Sequence, residues 1–224
     1  MFGEKIGFIG LGKLGLPCAE AIADAGFKVI GYDKEHRSSN KIIIADEIGD
    51  WVKEQTFVFV AVPTPHEENY DGSKPITQLE PKDFDYTILK NVLKQLNKKM
   101  SKDQAIVLIS TVLPGTIRQQ LSPLIENTKL LYNPYLIAMG TVDWDFYNPE
   151  MVMIGTKKGN PKSAVLGKKL ESFYMQVCNN SPRVEMGSWE EIESIKIFYN
   201  TFISAKLSLV NMVQDVAVKL GNID

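Results

Sequence analysis

Two cysteines in 224 residues, Cys18 and Cys178, leave no material for a disulfide framework. Thiols this sparse and this far apart fit a reducing cytoplasm. Two histidines with no Cys/His cluster argue against a bound metal, structural zinc in particular. Neither sign of charge dominates: 25 basic and 27 acidic residues leave a net charge of −2, with a pI near 5.8. That balance gives no electrostatic footprint for nucleic acid or an anionic membrane. No apolar run approaches a membrane span, and Gly7, Gly10, Gly12 and Gly15 interrupt the first apolar stretch, where a secretory leader needs continuity. Internal repeats and low-complexity tracts are also missing. Neither cysteine has a catalytic setting, since Cys18 lies among apolar neighbours of the first helix and reads as core.

Glycine, by contrast, is concentrated near the start. An apolar stretch, Lys5–Ile9, runs into Gly10-Leu11-Gly12-Lys13-Leu14-Gly15, a helix follows, and a second stretch, Lys28–Tyr32, ends on Asp33. Each glycine has its own task. Gly10 makes a tight turn, Gly12 admits a pyrophosphate to the backbone, and Gly15 lets the helix pack closely on the strand. The helix N-terminus then offers free amides and partial positive charge to phosphates. Asp33 is placed to accept from a ribose diol and repels a 2′-phosphate, which favours NAD. Lys34, His36, Arg37 and Lys41 nearby keep NADP as the alternative.

Strands and helices alternate, which predicts a Rossmann-like α/β fold with a parallel sheet covered on both faces. Strands are expected at Lys5–Ile9, Lys28–Tyr32, Lys41–Ala45, Thr56–Val62, Ala105–Ser110, Lys129–Tyr132 and Met151–Ile154. Helices are expected at Lys13–Ala25, Asp83–Lys98, Thr116–Leu121, Lys162–Val177 and from Trp189 towards Leu220. Residues 1–187 would form the dinucleotide-binding domain. Residues 188–224 would be a long helix opening a second domain. Two irregular segments, Pro63–Pro81 and Asn133–Pro149, leave strand C-termini, where open α/β sheets bind ligands.

Three stretches carry polar chemistry. Val62-Pro63-Thr64-Pro65 fixes the backbone at a strand exit and supplies a hydroxyl. Ser110-Thr111-Val112-Leu113-Pro114-Gly115-Thr116 brings hydroxyls beside the expected nicotinamide position, although Ser and Thr also cap helices. The last helix opens with a capping box, Ser188-Trp-Glu-Glu191. It carries Glu193, Lys196 and Asn200 on one face, continued by Ser204, Ser208, Asn211 and Asp215. Its other faces are apolar, so the helix is expected to be buried on most sides. Spacing alone would also let Lys196 pair with Glu193.

In this order, the glycine turn with Leu16-Pro17, Val62-Pro-Thr-Pro65, Ser110-Thr-Val-x-Pro-Gly-Thr116, Asn133-Pro134 with Gly140-Thr141 and Asn148-Pro149, and Glu193-x-x-Lys196-x-x-x-Asn200 resemble the UDP-glucose/GDP-mannose dehydrogenase family. The resemblance covers nearly the whole chain. It implies a cytoplasmic enzyme that oxidises a nucleotide sugar at C6 twice, with two NAD and a catalytic cysteine. It implies NAD contacts from Gly10, Leu11, Gly12, Lys13, Leu14, Gly15, Asp33, Val62, Pro63, Thr64, Ser110 and Thr111. It also implies catalytic roles for Thr111, Lys196 and Asn200, and substrate contacts from Asn133, Tyr135, Met139, Lys196 and Asn200. Thr111 would hold the reacting water and hydroxyl, Lys196 an alkoxide or oxyanion, and Asn200 the sugar. A homodimer through the long helix follows from its apolar surface.

The chain departs from the family pattern in three places. The cysteine motif and the nucleotide-sugar-binding domain are absent, so the chain reads as the N-terminal part of a longer protein, inactive alone. Tyr135 and Met139 stand where relatives carry glutamates, which bears on the second oxidation. The segment from Asp33 to Lys41 is short by a helix. Two alternatives stay open: a β-hydroxyacid or 6-phosphogluconate type of dehydrogenase using Lys196 as acid/base, and a non-catalytic NAD-binding dimerisation module.

Overall fold

The computed structural model describes residues 3–73, 78–138, 140–221 and 223. Its frame is an eight-stranded sheet in the order β3-β2-β1-β4-β5-β6-β7-β8. The strands are β1 (Lys5–Ile9), β2 (Lys28–Tyr32), β3 (Ile43–Ile44), β4 (Phe57–Val60), β5 (Ala105–Leu108), β6 (Lys129–Tyr132), β7 (Met151–Thr156) and β8 (Arg183–Ser188). The helices are α1 (Gly15–Asp24), α2 (Thr87–Lys99), α3 (Val142–Tyr147), α4 (Pro161–Val177) and α5 (Trp189–Leu220).

The central strands are apolar throughout because both their faces are covered. In β4 the pleat sends Phe57 and Phe59 to one side and Val58 and Val60 to the other. The phenylalanine side is closed by α1 and α4. There Phe59 lies 5.7 Å from Phe8, ring centre to ring centre, and 5.7 Å from Phe173. The valine side is closed by α2 (Leu89, Leu93, Leu96) and by the root of α5, through Trp189 and Ile192.

The expected parallel sheet holds from β3 to β6, and β7 departs from it by running antiparallel to β6. The crossover through α4 then adds β8 parallel to β7. β8 was not expected; it is a half-exposed edge strand whose sequence, Arg-Val-Glu-Met-Gly-Ser, offers only two alternating apolar residues, Val184 and Met186, which pack on the core. α3 was also not expected, lying in the segment read as irregular. The expected helix at Thr116–Leu121 is a single wide turn, Ile117–Leu121. No helix fills residues 34–42; that stretch lies across α1, with Ser39 Oγ donating to Glu20 (2.7 Å) and Lys41 Nζ to Asp24 (2.6 Å).

α5 corrects the expectation of a helix buried on most sides. Trp189, Ile192 and Glu193 are buried, whereas Phe198, Phe202, Leu207, Leu209, Val213 and Val218 are all more than half exposed. Its capping box is present: Ser188 Oγ accepts from the Glu191 amide (3.3 Å) and Glu191 accepts from the Ser188 amide (2.6 Å).

Candidate functional site

A cleft of about 510 Å3 opens at the C-terminal ends of β1, β2, β4 and β5, where the strand order reverses. An open α/β sheet binds its ligand at this switch point. The glycine turn forms the floor. Gly10 takes φ +90°, and a Cβ on Gly15 would lie 1.8 Å from the Gly10 carbonyl oxygen, so only glycine closes this turn. A Cβ on Gly12 would meet nothing within 4 Å, which leaves open space above that backbone. No side chain caps α1 and no acid sits in its first turn. The Leu16 amide donates to the Gly12 carbonyl (3.1 Å) and Pro17 has none, so the amides left to an anion are those of the turn just ahead of them. Lys13, exposed on the same turn, adds a cation to the cleft.

Asp33 leaves β2 at the cleft wall. Its carboxylate accepts from the Leu11 amide at 2.6 Å and the Glu35 amide at 2.9 Å, tying the acid to the glycine turn. Arg37 lies beside it, with Nε 3.9 Å from Asp33 and a guanidinium nitrogen 2.6 Å from Glu35. Arg37 Nε is buried and has no hydrogen-bond partner among the described residues.

At the other end, Ser110 and Thr111 follow β5 into the cleft. Their neighbourhood is tied by hydroxyls: Ser110 Oγ donates to the Val62 carbonyl (2.6 Å), and Thr64 Oγ1 donates to the Thr111 carbonyl (2.8 Å). None of these hydroxyls caps the following turn. Glu193 does so from α5, accepting from the amides of Gly115 (2.7 Å) and Ile117 (2.8 Å). The possible Glu193–Lys196 pair is thus absent. Lys196 instead donates to the Tyr135 carbonyl at 2.7 Å, and burial lowers its pKa below the ordinary lysine value. The only carboxylates lining the cleft, among the described residues, are Asp33 and Glu35.

Of the residues singled out from sequence, Gly10, Gly12, Lys13, Leu14, Gly15, Asp33, Val62, Pro63, Ser110, Thr111, Tyr135 and Lys196 line this one cleft. Leu11 contributes its amide while its side chain is buried. Thr64 acts on the Thr111 carbonyl from outside the lining. Asn133 does not reach the cleft; it is 1% exposed, donates to the Met153 carbonyl (2.7 Å) and accepts from Tyr174. Asn200 lies one turn beyond Lys196, exposed and away from the lining. Met139 lies outside the described residues. Ile88, Val92 and Ile137 line the cleft without having been singled out, since an apolar wall residue carries no chemical signature of its own. Glu193 was legible as part of the polar face it shares with Lys196 and Asn200. Its partners lay too far away in sequence to be named.

Residues 34–177 match the profile described as UDP-glucose/GDP-mannose dehydrogenase family, NAD binding domain. Among curated proteins, UDP-N-acetyl-D-mannosamine dehydrogenase of Pyrococcus horikoshii is 25% identical over 97% of this chain and 54% of its own length. GDP-mannose 6-dehydrogenase of Pseudomonas aeruginosa is 23% identical, again over 97% of this chain and 54% of the relative. The chain thus spans about half the length of these relatives. A crystal structure of GDP-mannose dehydrogenase from P. aeruginosa in a ternary complex superposes with TM-score 0.80 at 22% identity, covering 97% of this chain and 54% of that one. The UDP-D-ManNAc dehydrogenase from P. horikoshii superposes at 0.74 and 21% identity, covering 97% and 55%. At such identities these two likenesses establish the fold.

Proposed function

This chain belongs to the UDP-glucose/GDP-mannose dehydrogenase family, and we propose that it supplies the NAD-binding half of a hydride-transfer site for a nucleotide sugar. One observation carries the reading: a single cleft collects the glycine turn, Asp33, Thr111 and Lys196. The cofactor of the matched domain is NAD. The residues present fit it, with open space over Gly12, an uncapped helix N-terminus and a carboxylate at the end of β2. The turn from Gly10 to Gly15 would hold the pyrophosphate, with Lys13 beside it. Asp33 would accept from the adenosine ribose, and Val62, Pro63, Ser110 and Thr111 would flank the nicotinamide. NAD supplies the acceptor for a hydride leaving the sugar C6.

The chain's own groups would manage the oxygen. Thr111 offers a hydroxyl and backbone at the reacting end. Lys196, short of a counter-ion, would stabilise an alkoxide or tetrahedral oxyanion, because a desolvated ammonium gains most from developing negative charge. Tyr135, Met139 and Asn200 remain proposed sugar contacts. Asn133 would support them indirectly, through Tyr174, whose hydroxyl donates to Asn133 and accepts from the Tyr135 hydroxyl (3.0 Å). The domain division at residue 187 follows the same reading, with β8 ending at Ser188 and α5 leading out of the domain.

A homodimer would cover α5, whose exposed apolar side chains form a long stripe, and such stripes mark interfaces. Sedimentation at micromolar concentration checks it, and a monomer counts against it. No helix among the described residues is long and apolar enough to cross a membrane. A cytoplasmic location without membrane or nucleic-acid partners fits the free cysteines and balanced charge.

The function is tested in two arms. Calorimetry should show micromolar NAD binding, several-fold tighter than NADP. Turnover by the gene product should appear with UDP-glucose, GDP-mannose or UDP-N-acetylmannosamine and not with a β-hydroxyacid. Turnover of the hydroxyacid alone would favour the Lys196 acid/base alternative. NAD binding with no turnover of any of these would leave a binding module.

A further inference from the structure

Glu193 is the one buried charged residue among those described, with no measurable exposure. It faces backbone and not a cation. Its two oxygens accept separately from the amides of Ile117 and Gly115, 76 and 78 residues earlier in the chain. Burial raises its pKa, while the two amides pull it the other way. A carboxylate held by two amides is a strong, charge-assisted clamp.

The clamped loop leads directly from Thr111. Its Leu113 amide donates to the Tyr86 hydroxyl (3.2 Å), and Gly115 sits at φ +89°. Three positions beyond Glu193, on the same side of α5, stands Lys196, whose ammonium enters the cleft. One side chain therefore joins the two elements that carry the polar groups of the reacting end.

We propose that Glu193 is a positioning residue: by clamping the amides of Gly115 and Ile117, it sets the register of Thr111 against Lys196 in the cleft. The inference rests on reading that cleft as a hydride-transfer site. A carboxylate used merely to cap a turn could sit on the turn itself. Here it comes from the helix that bears the lysine, so loop and helix move as one body.

The test uses Glu193→Gln and Glu193→Asp in this chain. Three quantities are read: thermal midpoint, NAD affinity by calorimetry, and the Lys196 titration. The last is followed by 13C NMR of methylated lysines and assigned with Lys196→Arg. Glu193→Gln should bind NAD about tenfold more weakly and move the Lys196 titration up toward an ordinary lysine value. Glu193→Asp keeps the charge but loses a methylene of reach, and should fall between. A lower midpoint with NAD affinity and Lys196 titration both unmoved would overturn the proposal.

If Glu193→Gln fails to fold, amide exchange in the unaltered chain decides. Saturation with NAD should raise protection at Gly115 and Ile117, and unchanged protection at both would overturn the coupling. Failure of the unaltered chain to bind NAD would defeat the hydride-site reading instead. The Lys196 titration would still judge Glu193.

Discussion

The ammonium of Lys196 lies 2.7 Å from the carbonyl oxygen of Tyr135 and has no carboxylate partner among the described residues. A lysine in this setting keeps one backbone hydrogen bond but loses much of its hydration, so its charge is costly at neutral pH.

That cost sets a pH dependence. The pKa of Lys196 in the folded chain is lowered by burial, whereas the unfolded value is about 10.4. Between these two values the unfolded state binds more protons, so stability rises with pH. Urea unfolding at pH 7 and pH 10 should show the unaltered chain gaining on Lys196→Met at the higher pH. A constant difference would mean that Lys196 is not desolvated.

The glycines separate folding from binding. Gly15→Ala places a methyl 1.8 Å from a backbone oxygen and should cost more than about 3 kcal/mol or prevent folding. Gly12→Ala meets nothing within 4 Å, so its stability should hold within about 1 kcal/mol. The same methyl occupies the space proposed for the pyrophosphate, and NAD affinity should fall by about tenfold, or 1.4 kcal/mol. Thermal melts and calorimetry on both variants check the contrast.

Around Asp33 the charges set cofactor choice. Asp33→Asn leaves one oxygen to serve the Leu11 amide and the ribose, and should weaken NAD binding about tenfold. Glu35→Gln releases the guanidinium of Arg37 and should strengthen NADP binding by about fivefold at most, because the pair is exposed. NAD affinity should change less than twofold in that variant. An unchanged NADP affinity would show that Arg37 takes no part in the choice.

Neither thiol is poised for chemistry. Burial raises the Cys18 pKa far above the ordinary range and pushes Cys178 to about 11. At pH 8 only about one Cys178 in a thousand is then thiolate. A disulfide reagent should label the native chain slowly at both positions and rapidly after unfolding. Fast labelling of one thiol in the native chain would contradict this.

The sheet was legible in its interior strands, where at least one face is buried. β1, β2 and β6 have the expected bounds, and β4 and β5 begin where their apolar runs begin. β3 shrinks to Ile43–Ile44 because it is an edge, with Ile43 half exposed and little to pack against. β8 escaped because its alternation stops after Val184 and Met186, and the six-residue pairing with β7 holds the rest. The site divides similarly. Gly10, Gly12, Gly15 and Asp33 form a local unit, closed by the 2.6 Å bond from Leu11 to Asp33, and their spacing announced it. Asn133 carried the same polar signal, but its side chain went into the core.

Sequence by itself determined the alternating fold, the glycine turn with its acid, and the capped start of α5. Backbone geometry, apolar period and capping act between residues near one another in the chain, and such rules can be read in order. Tertiary structure alone decided that Glu193 turns to Gly115 and Ile117, that Lys196 is left to the Tyr135 carbonyl, and that β7 reverses against β6. Those choices depend on which buried polar groups lack partners once distant segments meet, and chain spacing does not encode that.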